Sequence, residues 1–453
     1  MMAVESGGGR HPSFAEAVRV WLKIGLLSFG GPAGQIATMH RILVEEKRWV
    51  GETRFLHALN FCMLLPGPEA QQLATYIGWL LHRGVGGLVA GTLFVLPGFL
   101  VMLGLAALYA GFQQVPLVDG LFYGIKPAVL AVVVEALLRI GRRALKGREF
   151  LWIAAAAFVG IFFFAVPFPL IVLSAGIVGL LAARAGHPAF LPRLGPVGDG
   201  GAADRVLDDG ADHIRPNLRR SLTVVAVCLA LWWTPVVAAL AWGQGSFGAI
   251  GLFFSKLSVV TFGGAYAVLA YVAQEAVDIH GWLRPGEMLD GLGLAETTPG
   301  PLILVNQFVG FLAGFRDSGP LGQWPGAVLG AVLAVWVTFV PCFLWILAGA
   351  PYVEALRGNR ALAGGLAAIT AAVVGVVLNL GLWFALHVLF GRVSETRLGP
   401  LHLSIPDPAS LDPMALALAA AAIIAMLRLR MGMIATLAAC GGVGVAWRLL
   451  FLA

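Results

Sequence analysis

Two short motifs of glycine and proline interrupt long apolar runs, and they are the residues best suited to bind a ligand through the backbone. Gly30-Gly31-Pro32 interrupts the run 14–43, and Pro66-Gly67-Pro68 interrupts the run 53–81. Proline removes a backbone donor and paired glycines relax the backbone, so both motifs are predicted to break helices. The arms have about 13 residues, or roughly 20 Å at the helical rise. Broken helices of this kind direct positive helix N-termini at a bound anion.

The same motifs occur twice in the chain. A shift of 233 residues (263 − 30) aligns them without a gap, and an eleven-residue insertion later changes the shift to 244. Lysine, tryptophan and proline matches in one register favour an internal duplication. One difference is Ala265, which stands where the first copy has Pro32. The helix break in the second repeat is therefore expected to be less pronounced. The aligned pairs are Lys23 and Lys256, Gly30-Gly31 and Gly263-Gly264, Trp49 and Trp282, Pro66-Gly67-Pro68 and Pro299-Gly300-Pro301, and Leu96-Pro97 and Val340-Pro341.

Two lysines precede the glycine pairs. Lys23 and Lys256 each lie seven residues before a pair, which is two helical turns. A lysine inside a membrane segment usually faces a cavity or a partner, so both are candidate anion ligands. The alternative is that they extend to the membrane interface from the ends of their helices. The sequence favours neither interpretation.

Three further charged residues lie in apolar runs. Lys126 is predicted to attract an anion, and Glu135 or Glu69 to handle a coupling proton. The structural alternative for Lys126 is a buried Lys–Glu pair between helices. Glu69 is also a favourable residue for the first turn of a half-helix, because the helix dipole stabilises a carboxylate there.

Neutral donors near the motifs suit a tetrahedral oxyanion, which needs many contacts in little space. The scattered histidines have no metal-binding spacing, and the four cysteines are expected to be buried free thiols, so neither a metal nor a cofactor is expected. The full set of predicted substrate-binding residues is Lys23, Gly30, Gly31, Pro66, Gly67, Pro68, Gln72, Lys126, Lys256, Gly263, Gly264, Thr297, Pro299, Gly300, Pro301, Asn306 and Gln307, and the proton-coupling candidates are Glu69 and Glu135.

Composition excludes a soluble protein. Hydrophobic residues make up 59% of the 453 residues and charged residues only 12%, and the mean hydropathy is +0.87. Soluble domains carry about 25% charged residues. The chain is therefore predicted to be an all-α polytopic membrane protein in contact with the lipid bilayer. The net charge of +6 is attributed to basic cytoplasmic loops, and a nucleic-acid partner is not expected.

The second repeat is predicted to be inverted, because an odd number of apolar runs separates the two copies. Basic residues at 139–149 and in the linker place those segments and the N-terminus in the cytoplasm. Whether the motif runs cross the membrane is left open, although the basic loop 41–54 favours hairpins. The predicted organisation is a cytoplasmic tail at 1–13, a first repeat at 14–184, a polar cytoplasmic linker at 185–218, a connecting transmembrane helix at 219–241 and a second repeat at 247–453.

Four stretches resemble the chromate transporter family over essentially the whole chain, in its long two-domain form. The first domain is similar at SFGGPAGQIATMHRILVEEKRWV and FLHALNFCMLLPGPEAQQLATYIGW, and the second at TFGGAYAVLAYVAQEAVDIHGWL and LGLAETTPGPLILVNQFVGF. The resemblance implies an inner-membrane transporter that exports chromate and confers chromate resistance. It implies energy from the membrane potential or a proton gradient, and sulfate as a structural competitor.

The resulting hypothesis is a secondary transporter for chromate and not an enzyme. One alternative is transport of sulfate or another small anion by the same fold. A more distant alternative is a membrane-embedded enzyme, although the loop 44–54 has charges without a DxxxD or paired-histidine pattern. A homodimer and a monomer are both compatible with the sequence.

Overall fold

The structure, a computed structural model, describes residues 11–29, 31–63, 65–112, 115–190, 217–262, 265–352 and 360–451. Three predicted site residues, Gly30, Gly263 and Gly264, lie outside these ranges. So do most of the predicted tail (1–10) and most of the predicted linker (191–216).

The described chain is helical apart from one β-hairpin, β1 (Val393–Leu398) and β2 (Leu401–Pro406). The helices of the first half are α1 (Phe14–Leu27), α2 (Gly31–His40), α3 (Glu52–Cys62), α4 (Glu69–Phe112), α5 (Pro116–Ala144), α6 (Arg148–Phe164) and α7 (Phe168–Arg184). Those of the second half are α8 (Leu218–Trp242), α9 (Phe247–Val260), α10 (Ala265–Ala273), α11 (Pro285–Thr297), α12 (Val305–Arg316), α13 (Gln323–Gly349), α14 (Arg360–Leu389), α15 (Pro413–Leu427) and α16 (Met433–Phe451).

Six of the described helices are long and apolar enough to cross a membrane, namely α4, α5, α8, α13, α14 and α16. Several shorter apolar helices pack beside them. The prediction of an all-α polytopic membrane protein is confirmed. The four cysteines, Cys62, Cys228, Cys342 and Cys440, are buried and free, as predicted.

Gly31 and Pro32 of the first glycine motif lie at the tip of a helical hairpin. α2 continues into a π-helical turn, Arg41–Glu46, and then returns to the level at which α1 began. The Lys47 Nζ lies 2.8 Å from Oε1 of Glu16, which is in the first turn of α1. The run 14–43 therefore folds back instead of crossing the membrane.

The Pro66-Gly67-Pro68 motif also lies at the tip of a hairpin. α4 contains non-helical residues at His82 and Arg83, where the segment 69–81 turns back into the segment 84–112. The His82 ring contacts the carbonyl of Pro12, just before α1, at 3.0 Å. We call the side of the molecule that holds Pro12 and His82 the N-side. Both hairpins of the first repeat enter from it.

The hairpins of the second repeat enter from the opposite side. Ser246, just before α9, donates to Oδ2 of Asp317 at 2.8 Å, beyond the end of α12. Arg316 at the end of α12 pairs with Glu287 at the start of α11, at 2.6 Å. We call this side of the molecule the far side.

The two repeats are therefore inverted. The second segment of α4 and the whole of α13 are equivalent elements, since each carries the aligned proline, Pro97 or Pro341. They pack antiparallel over their length. A Cβ on Gly87 would lie 3.3 Å from Leu347, and one on Gly111 would lie 3.4 Å from Trp324. Equivalent helices that run in opposite directions confirm the predicted inversion.

Candidate functional site

The broken helices of the two repeats meet through a crossed pair of backbone hydrogen bonds. The Gly67 N–H donates to the Thr261 carbonyl at 2.8 Å, and the Gly300 N–H donates to the Ser28 carbonyl at 2.8 Å. Gly67 and Gly300 are aligned by the repeat, and so are Ser28 and Thr261. We call these four residues the motif junction. Each proline motif is thus held by the chain beside the glycine motif of the other repeat.

Glycine is required at the centre of both proline motifs. Gly67 has φ +113° and Gly300 has φ +90°, and side chains rarely adopt such values. A Cβ on Gly67 would lie 2.8 Å from Sγ of Cys342, and a Cβ on Gly98 would overlap the Pro299 carbonyl. Gly98 and Cys342 directly follow the aligned prolines of α4 and α13. The long helix of each repeat therefore packs closely against the break of the other.

The predicted neutral donors are bonded within the protein. Gln72 Nε2 donates to the Pro66 carbonyl at 2.7 Å, and Gln307 Nε2 to the Phe99 carbonyl at 2.9 Å. The Asn306 amide contacts Thr338 at 3.4 Å, and the Thr297 hydroxyl donates to the Leu294 carbonyl at 2.9 Å. These side chains support the broken backbone in this structure.

A cavity of ≈ 530 Å³ leads from the N-side to the motif junction. Gly67 and Glu69 line its inner end, and His40 and Glu45 lie near the N-side. We call it the N-side vestibule. Since a water molecule occupies about 30 Å³, the vestibule has room for an oxyanion with part of its hydration shell. Its walls also include Pro32, Ile36, Ala37, Phe55, Leu56, Leu59, Cys62, Met63, Leu65, Ala136, Arg139, Ile140, Arg143, Tyr266 and Thr370.

Two arginines of α5 supply positive charge to the vestibule. The sequence analysis placed the basic segment 139–149 in the cytoplasm, and in the structure α5 continues to Ala144, so that Arg139 and Arg143 lie in its last turns. The two side chains are four residues apart and line one wall. Arg139 forms an ion pair with Glu135, whereas Arg143 has no ion-pair partner among the described residues. The four-residue spacing of Glu135, Arg139 and Arg143 is the signal in the sequence that could have identified this face.

A second cavity of ≈ 370 Å³ lies behind Arg139. It shares Ala136, Arg139 and Tyr266 with the vestibule, and it adds Glu135 and Arg430. The predicted proton-coupling residues are therefore separated, because Glu69 borders the vestibule and Glu135 borders the second cavity. Arg139 contributes to the walls of both.

A buried acid that the sequence analysis did not select lies beside the junction. Glu296 at the end of α11 is only 2% exposed, and Oε1 accepts a hydrogen bond from the Tyr266 hydroxyl. A Cβ on Gly31 would lie 3.7 Å from the same hydroxyl. Gly31 of the predicted glycine motif, Tyr266 and Glu296 are thus neighbours. Glu296 directly precedes Thr297, which was the signal available in the sequence.

Lys126 lies on the other side of the junction. Its Nζ is 3.2 Å from Oδ2 of Asp290 on α11, and the same oxygen accepts from the Tyr109 hydroxyl at 2.7 Å. Asp290 is 1% exposed. The structural alternative was a buried Lys–Glu pair between helices. The structure pairs Lys126 with an aspartate of another helix, Asp290, and pairs Glu135 with Arg139 of its own helix.

The two lysines before the glycine motifs lie on the outer surface. Lys23 is 57% exposed, and its Nζ is 3.9 Å from Glu46. Lys256 is also exposed, with its Nζ 5.3 Å from the centre of the Tyr271 ring. The structure does not bring either lysine to the junction. It brings together Gly31, Pro66, Gly67, Pro68, Glu69, Gln72, Pro299, Gly300 and Pro301.

The fold and the site together define a multi-pass membrane protein with inverted repeats and broken re-entrant helices, an architecture of secondary transporters. The family model described as Chromate transporter matches residues 15–180 and 248–445, and the chain belongs to this family.

The chain is similar to curated proteins over most of its length. The Chromate transport protein of Pseudomonas aeruginosa is 35% identical over 81% of this chain and 79% of its own. The Probable chromate transport protein of Synechococcus elongatus is 28% identical over 88% of this chain and 93% of its own. The Chromate transport protein of Cupriavidus metallidurans is 27% identical over 80% of each chain. No solved structure matches the chain significantly.

Proposed function

We propose that this protein exports chromate from the cytoplasm across the inner membrane and so confers chromate resistance. The observation that carries the proposal is the N-side vestibule, a cavity lined by two arginines of α5 that extends to the helix break at Gly67. The family relatives named as chromate transport proteins supply the substrate. Transport through a cavity also agrees with a protein that is not an enzyme.

The distribution of basic residues supports a cytoplasmic N-side. Helix ends and turns on this side are rich in arginine and lysine, as cytoplasmic segments of membrane proteins are. The described far side has fewer, mainly Arg284, Arg316, Arg392, Arg397 and Arg448. The N-side residues at the ends of α5, α6, α7, α8 and α15 are Arg139, Arg142, Arg143, Lys146, Arg148, Arg184, Arg219, Arg220, Arg428 and Arg430.

The vestibule favours entry of an anion from this side. Arg143 forms no ion pair among the described residues, although Glu45 and Glu69 line the same vestibule, and the chromate dianion would displace Glu135 from Arg139. At the inner end, where the Gly67 N–H is already bonded to Thr261, the N-terminus of α4 presents its backbone dipoles to the anion. Gly30, Gly263 and Gly264, which lie outside the described residues, remain predicted substrate-binding residues, and Glu69 and Glu135 remain the predicted proton-coupling candidates.

The membrane potential suffices to drive export. With an inside-negative potential, outward movement of negative charge is favourable by about 2.3 kcal/mol per charge per 100 mV. Electrophoretic export therefore needs no additional energy source. A proton bound during the cycle would reduce the charge that is moved.

Flux measurements in proteoliposomes test the proposed function. Purified protein with an imposed potential should move labelled chromate, and sulfate should compete as an anion of the same shape. Sulfate flux without chromate flux would establish the alternative small-anion transporter. Flux of neither anion in correctly folded protein would contradict the proposal and favour the enzyme alternative. Crosslinking of the reconstituted protein addresses the homodimer.

A further inference from the structure

Glu296 is a buried carboxyl group with one unsatisfied oxygen. Its Oε1 accepts from Tyr266, whereas Oε2 has no hydrogen-bond partner among the described residues. An ionised carboxylate buried from water needs partners for both oxygens. The geometry therefore leaves Oε2 as a place where a proton can bind.

The charged groups around Glu296 belong to the anion route. Tyr266 of α10 contacts it directly, and Arg139 and Glu135 of α5 act on it through space. Arg430 lines the second cavity with these three residues. Arg139 is thus a cation shared between Glu296, Glu135 and any anion in the vestibule. A dianion bound to Arg139 would offset the positive charge of Arg139, which otherwise stabilises ionised Glu296. The bound dianion would therefore favour protonation of Glu296.

The other two acids of the route differ in their partners. The negative charge of Glu135 is balanced by its ion pair with Arg139. Glu69 is in the first turn of α4, where the helix dipole stabilises a negative charge. The repeat aligns Glu296 with Met63 and Tyr266 with Ala33, so the first repeat has no equivalent pair.

We propose that Glu296 binds a proton that is thermodynamically linked to the oxyanion at Arg139, with Tyr266 holding the carboxyl group in place. This inference rests on the proposed function. Because linkage is reciprocal, protonation of Glu296 strengthens oxyanion binding to the same degree that the oxyanion strengthens protonation. When Glu296 is ionised, it and the oxyanion compete for electrostatic stabilisation by Arg139.

The test is the pH dependence of KM for chromate, measured as potential-driven flux in proteoliposomes. In the wild type KM should rise from mildly acidic to mildly alkaline pH, by up to about tenfold per pH unit for one linked proton. Glu296→Gln is permanently neutral, so its KM should stay low and change little with pH. Glu149→Gln, which removes an N-side carboxylate outside both cavities, should keep the wild-type profile and controls for the titration of chromate itself.

A second variant covers a failure of Glu296→Gln to insert. Tyr266→Phe removes the one donor to the carboxylate, so the rise in KM should move to higher pH. An unchanged profile in Glu296→Gln, or in Tyr266→Phe, would overturn the inference. So would a profile that is flattened by Glu69→Gln and not by Glu296→Gln. Absence of chromate flux in the wild type would instead contradict the proposed function.

Discussion

Gly67 shows how one residue determines the geometry of the junction. Its N–H bonds to the other repeat, its φ of +113° is closed to most side chains, and its α-carbon faces Cys342. These three constraints coincide at the inner end of the vestibule. A substitution there therefore changes the site without removing a charged group.

We predict that Gly67→Ala lowers chromate flux by tenfold or more. A side chain with this φ costs about 1–2 kcal/mol, and about 1.4 kcal/mol corresponds to a factor of ten. Gly104→Ala is the matched control, because a Cβ at Gly104 of α4 meets nothing within 4 Å. Both variants should insert equally, as judged by gel filtration in detergent. Wild-type flux in well-inserted Gly67→Ala would remove this residue from the mechanism.

At the scale of elements, the sequence predicted where the helices break because proline and glycine act locally. In this way the sequence predicted the helix breaks at Gly31 and Gly67, and it also predicted the inversion of the repeats. The end of the apolar run at 81 also marks the turn at His82 and Arg83, whereas the close packing of Gly78 against Gly86 and Ala90 at this turn required the structure. The contribution of Arg139 and Arg143 to a cavity was missed, because the basic segment was interpreted only as a sign of cytoplasmic location.

Side-chain partners distant in sequence could not be predicted. Lys126 and Asp290 meet only because α5 packs against α11 of the inverted repeat. Tyr266 and Glu296 likewise meet through the tertiary fold. Composition indicated that such buried charges matter, but their pairing required the structure.

The Lys126–Asp290 pair links α5 to α11, and we predict that it acts as a structural connection on the far side. Lys126→Met leaves Asp290 buried and unpaired, and loss of one partner costs about 3–5 kcal/mol. The thermal stability of the Lys126→Met variant and its chromate flux should therefore fall. The double variant Lys126→Met with Asp290→Asn removes both charges and should recover stability and at least half of the flux. An inactive but stable double variant would instead show that Lys126 contacts the anion.

At the scale of the whole molecule, the two sides differ in charge. On the far side Lys126 and Asp290 connect α5 and α11. The repeat aligns these residues with Thr370 and His57, and Thr370 lines the N-side vestibule. The inverted repeats thus place a charged pair between helices on the far side, where the equivalent residue of the other repeat borders the N-side vestibule. Alternating access would require the two sides to exchange these arrangements.

On the proposed route, the oxyanion enters through the arginines of the N-side vestibule. The most direct measurement is the initial rate of chromate transport from the N-side, driven by an imposed potential. In Arg139→Gln with Arg143→Gln this rate should fall by at least tenfold, because the vestibule loses both cations of α5. Arg142→Gln, an exposed neighbour outside the vestibule, should keep the wild-type rate. Equal rates in all three proteins would contradict the account.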